Sequence, residues 1–115
     1  MKARVRVAFP RSPLIFQLSK KNNLRRWCAL HRGQIDWGEI FFSVLQLLTI
    51  KTTEFSDRLL LGDGAGEVTW QNHGWGTTIN VQFSKFSERK QELVAAALLK
   101  AARQSKPKEY YANRN

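Results

Sequence analysis

His31 and His73 are the side chains in this sequence whose ordinary pKa lies near neutrality, so proton transfer at pH 7 would fall to them. A metal-independent ribonuclease would use such a pair as general base and general acid, with Lys or Arg stabilising a phosphorane-like transition state. Their positions argue for other roles. His31 closes a helix-periodic segment, where a cation complements the helix dipole, and His73 falls in the turn-like run Asn72-His73-Gly74-Trp75-Gly76. No catalytic residue is therefore expected.

Metal chemistry fails on ligand supply. One cysteine and two histidines, without CxxC or HxxH spacing, cannot close a zinc site. Phosphate-loop chemistry fails too. Gly62-Asp63-Gly64-Ala65-Gly66 is rich in glycine, but no GK[ST] follows and the next segment reads as a strand. Cys28 lies on an apolar stripe, the setting of an inert packed thiol. The sequence thus implies no metal and no cofactor.

The cations carry more weight. Lys20, Lys21, Arg25, Arg26 and Arg32 cluster in a 35-residue N-terminal stretch that holds no acid. Side chains so grouped can neutralise successive phosphates by counterion release, without reading base sequence. Arg4 and Arg6 extend the basic surface at the N-terminus, and Arg89, Lys100 and Arg103 extend it near the C-terminus. Trp75, between two glycines, has little local chain to bury it and could stack on a nucleobase. Tyr110 and Tyr111, beside Lys106 and Lys108, could add stacking from the tail.

The formal net charge of +10 is unevenly spread, with two basic segments flanking an acidic centre between residues 36 and 71. Such an excess points to polyanionic partners. The apolar share of 43% is enough to pack a core, which argues against disorder. At 115 residues, division would leave each half short of interior. The longest apolar run, Ile40–Ile50, is too short for a bilayer, and charges crowd the first six residues where a signal peptide needs apolar ones. No membrane association is expected. A lone cysteine suits a reducing, cytoplasmic setting.

The elements that must position these groups follow from periodicity. Val5, Val7 and Phe9 alternate with Arg4, Arg6 and Ala8, a strand, and Leu14–Leu18 reads as its hairpin partner. Leu24, Trp27, Cys28 and His31 recur at helical spacing, which predicts a short helix with Asn22 or Asn23 as its N-cap and its arginines toward solvent. Asp36 and Glu39 form a near capping box, and Ile35 and Ile40 a hydrophobic staple, opening a second helix. Trp37, Ile40, Phe41, Val44, Leu47 and Leu48 make its buried stripe; Phe42, Leu45 and Thr49 make a flanking stripe that could meet a protein partner or a second copy. Three strands at 58–61, 67–72 and 77–83 and a helix capped by Ser87 complete the order ββααβββα.

The expectation is an α+β domain over residues 1–104, a mainly antiparallel sheet packed by two or three helices, with a basic tail at 105–115. The function it implies first is non-catalytic binding of DNA or RNA through the phosphate backbone. A protein-binding regulator comes second and the ribonuclease third.

Overall fold

The computed structural model describes residues 13–107. The expected strand at 3–9 with Arg4 and Arg6, and the tyrosines at 110 and 111, lie outside them. Strands β1 (Leu14–Lys21) and β2 (Leu24–Leu30) form a hairpin, helix α1 (Trp37–Leu47) follows, and β3 (Thr52–Glu54), β4 (Arg58–Leu61), β5 (Gly66–His73) and β6 (Gly76–Phe83) lead to helix α2 (Glu88–Gln104). Every strand pairs antiparallel, in the order β1-β2-β6-β5-β4-β3. The mixed α+β architecture is as expected.

Two elements differ. The segment expected as a helix from Leu24 is strand β2, inserted between β1 and β6. Its apolar residues fit either period, but as a strand it pairs its backbone groups on both edges and buries Trp27 and Ala29. Asn22, read as a helix cap, instead takes a left-handed φ of 51° in the β1–β2 turn, a conformation Asn tolerates better than most residues. The three-residue β3 was not anticipated either.

Helix α1 starts as its sequence dictates, with the Asp36 carboxylate accepting the Glu39 N–H at 3.1 Å. Its fully buried side chains are Trp37, Phe41 and Leu45, one per turn. This corrects the stripe assignment: Leu45 is core, whereas Leu47 is 84% exposed. Ser87 caps α2, which buries Val94, Leu98 and Ala102. Both helices pack on one face of the sheet, against Trp27, Leu59, Leu61, Val68, Ile79, Val81 and Phe83. Among the described residues, no helix is long and apolar enough to cross a membrane.

Two residues turn β5 into β6, and the register places Gly76 opposite Leu30 of β2. A Cβ at Gly76 would lie 1.9 Å from the Ala29 carbonyl oxygen, so only glycine lets the hairpin close on β2 here.

Candidate nucleic-acid interface

Because strand side chains alternate between faces, register decides where each cation goes. A bulge between Gln17 and Ser19 shifts β1, so Ser19 lies opposite Arg26, Lys20 opposite Arg25, and Lys21 opposite Leu24. Arg25 therefore faces the helices and is 2% exposed, not turned to solvent as the helical reading placed it. Its guanidinium donates to Glu92 Oε2 at 2.6 Å and to the Asn22 carbonyl at 2.9 Å. Lys20 reaches the same carboxylate at 2.8 Å. These two cations hold Glu92 below its ordinary pKa, through hydrogen bonds from Lys20 and Arg25. They clamp α2 to the sheet, and much of their charge is already answered.

Lys21 and Arg26 point the other way, onto the face that the helices leave uncovered. Both are exposed, and Arg26 Nε donates to Asn80 Oδ1 at 2.7 Å. The neighbouring row across this face runs Phe16, Cys28, Thr78, Gln71. Phe16 is 48% exposed, and Leu14 and Leu18 of the same strand are also exposed. Cys28 is buried, and burial raises its pKa, which leaves an unreactive thiol. Arg32 is exposed beyond the end of β2, and Arg89, Lys100 and Arg103 are exposed on α2, on the opposite side of the sheet. The cations therefore occupy separate surfaces. Phe16 and Asn80 were missed because only the register shows that they share a face with Arg26.

Trp75 caps one end of this face at the β5–β6 turn. It is 49% exposed and stacks nearly parallel on His73, with ring centroids 4.6 Å apart. The His73 Nε2 lies 3.0 Å from Thr78 Oγ1, and the His31 Nε2 lies 3.0 Å from Thr77 Oγ1. Thr77 and Thr78 are consecutive residues of β6, so the two imidazoles are anchored on opposite faces of the sheet. They do not confront one another across a common phosphate.

His31 belongs to a buried polar knot. Trp37 Nε1–H also donates to Thr77 Oγ1, at 3.1 Å, and the Thr77 hydroxyl donates to Asn72 Oδ1 at 3.0 Å. Thr77 Oγ1 is thus the centre of the knot, in hydrogen-bond contact with His31, Trp37 and Asn72. His31 Nδ1 is buried without a hydrogen-bond partner. Desolvation lowers the His31 pKa below the ordinary 6.5, against a smaller opposing influence from the Gly33 backbone.

This shift has a consequence for stability. Just below pH 6.5 the unfolded chain takes up a proton at His31 that the folded chain refuses. The unfolded state binds more protons there, and stability falls as pH drops through that window toward the folded pKa. Denaturant unfolding between pH 7.5 and 5.5 should record the decline, and His31→Gln should flatten it. An undiminished slope in that variant would remove His31 as the cause. The Glu92 contribution lies in a separate window, below 4.5, because that pKa is lowered from an already acidic value.

Of the expected partner-facing stripe, Phe42 is partly buried, Thr49 is exposed and Leu45 is wholly buried. Phe42 and Thr49 line a shallow groove of about 520 Å³ with Gln46 and Lys51. Comparison with protein families, with curated proteins and with solved structures finds no match for this chain.

Proposed function

We propose that this chain is a non-catalytic nucleic-acid-binding domain, acting in a cytoplasmic setting, whose contact surface is the face of the sheet opposite the helices. The observation that supports this reading is the juxtaposition on that face of two exposed cations, Lys21 and Arg26, with an exposed aromatic ring, Phe16, and the Trp75 turn at its end. Cations neutralise phosphates and rings stack on unpaired bases, a combination suited to a single strand rather than a duplex. The Asn80, Thr78 and Gln71 side chains between them offer hydrogen bonds to base edges or sugars. The basic α2 residues Arg89, Lys100 and Arg103 add long-range attraction from the other side of the domain.

Titration with single-stranded DNA, duplex DNA and RNA at two salt concentrations tests the reading. Single strands should bind best, and each phosphate contact should lower log K by roughly 0.7 per decade of salt. The double variant Lys21→Ala, Arg26→Ala should lose about two such increments. A folded double variant with the salt slope of the parent would contradict the placement of the site.

A protein partner is the second reading, favoured by Leu47, which is 84% exposed on the last turn of α1.

A further inference from the structure

The acidic middle of the chain, residues 36–71, carries two cations, Lys51 and Arg58. The register carries Arg58 out of that setting. Arg58 of β4 lies opposite Thr69, Thr69 opposite Asn80, and Asn80 opposite Arg26. One row therefore crosses four neighbouring strands on the face opposite the helices, with an arginine at each end and two hydrogen-bonding side chains between. Arg58 is exposed, whereas Leu59 and Leu61 of the same strand turn to the core. Its guanidinium carbon lies 5.3 Å from the centroid of the Phe55 ring, and Phe55 N–H donates to the Arg58 carbonyl at 2.9 Å. Among the described residues, no carboxylate lies within ion-pair distance of Arg58. The acids of the segment are placed elsewhere. Asp36 caps α1, Glu54 pairs with the core residue Leu59, and β5 turns one carboxylate to this face, Glu67, in the adjacent row opposite Gln82.

We infer that Arg58 is a further phosphate contact, and that a single strand of nucleic acid crosses the sheet at right angles to its β-strands, from Arg26 to Arg58. The two arginines are three strand spacings apart, about 14 Å. A strand laid along their row meets a cation at both ends, and Asn80 and Thr69 offer hydrogen bonds to the sugars between. The row on one side holds Phe16, Thr78 and Gln71, and the bases lie over it. The row on the other side holds Glu67, whose carboxylate repels phosphates and keeps the backbone off that flank. A strand running lengthwise along β6 would leave Arg58 unused and pass close to Glu67. Phe55 acts through Arg58, since the cation–π contact holds the guanidinium in one orientation. The inference rests on the nucleic-acid reading of this face and adds the direction in which the strand lies.

The experiment titrates the full chain with an eight-nucleotide oligothymidylate over a range of salt. Arg58→Ala should reduce the slope of log K against log salt by about 0.7, the loss of one phosphate contact on a single strand. Arg58 is exposed, so this variant should keep the melting temperature of the parent. Lys90→Ala removes an exposed cation that also lies over a ring, Phe86, but on α2, and should leave the slope alone. Phe55→Ala should weaken binding in the parent and add nothing in the Arg58→Ala background, because the ring acts through the guanidinium. Glu67→Gln should strengthen binding. A nitroxide on the 5′ end of the same oligonucleotide should broaden amide resonances at one lateral side of the sheet, in β1 or in β4, and not in both. A parent-like slope in Arg58→Ala, with the slope reduced in the Lys21→Ala, Arg26→Ala variant, overturns the crossing path and leaves the binding face in place. Broadening confined to one end of β6 and its neighbours on both sides overturns the path as well. An oligonucleotide that fails to bind the parent at low salt overturns the nucleic-acid reading and this inference with it.

Discussion

Replacing Phe41 by alanine is expected to cost the fold about 3 to 5 kcal/mol, and replacing Leu47 no more than about 0.5 kcal/mol. Both are apolar residues of one helix, and their sequence neighbourhoods are similar. The difference is geometric. Phe41 is 0% exposed and stacks against Trp37 with ring centroids 5.4 Å apart, in the layer between α1 and the sheet. Removing its ring opens a cavity that close-packed neighbours can only partly fill. Leu47 is turned to water, so truncating it removes contacts that scarcely exist. Leu45→Ala belongs with Phe41→Ala, at about 2 to 5 kcal/mol, and Phe42→Ala should fall between. Urea denaturation with an unchanged m-value would measure all four. A large loss at Leu47 with little at Leu45 would mean that α1 is rotated about its axis from the arrangement described above.

The second large effect is on binding. Phe16→Ala and Trp75→Ala should each remove about 1 to 3 kcal/mol of affinity for a single strand, the usual contribution of a base stacked on an aromatic ring. Both rings are about half exposed, so the melting temperature should change little. Neither substitution alters charge, and the slope of log K against log salt should stay where it is. His73, the ring on which Trp75 stacks, is opposite Gly76 in the row that crosses Leu30 to Leu14. That row spans three strand spacings, about 14 Å. The two rings are thus far enough apart to hold different bases, and their losses should add. Affinity unchanged in both variants would sink the stacking role. A collapse in melting temperature for Trp75→Ala would make that ring structural instead.

The parts of the fold that sequence reveals are those with local causes. Asp36 and Glu39 announce the start of α1, Ser87 that of α2, and Gly74 the turn into β6, because each acts on residues a few positions away. Strand β2 had no such local signature. Its buried set includes Arg25, and a charged residue in a solitary sequence argues for solvent. Only the ion pair with Glu92, far along the chain, makes that burial tolerable. The same limit hid the assignment of Leu45 and Leu47, since an α1 apolar on two stripes does not say which one faces the sheet. The candidate surface was half legible: the cations and Trp75 stand out by type, but the division of the cations between two faces depends on strand alternation in β2 and on a single-residue bulge in β1. The polar knot around Thr77 was beyond reach, because His31, Trp37, Asn72 and Thr77 come from four different elements and connections of the chain.

The ladder between β2 and β6 governs how this chain can assemble. Strands β4, β5 and β6 follow one another through tight turns, and the β1–β2 hairpin is equally local. Trp27, however, pairs with Ile79, 52 positions later. Closing so long a loop costs more entropy than closing either hairpin and is repaid only once the ladder and the Trp27 core form together. The two hairpin units can therefore arise early and independently, and the rate of folding is set by their meeting along a single seam. Until they meet, β6 has an open edge lined by Ile79 and Val81, and association with another chain competes with β2 for it.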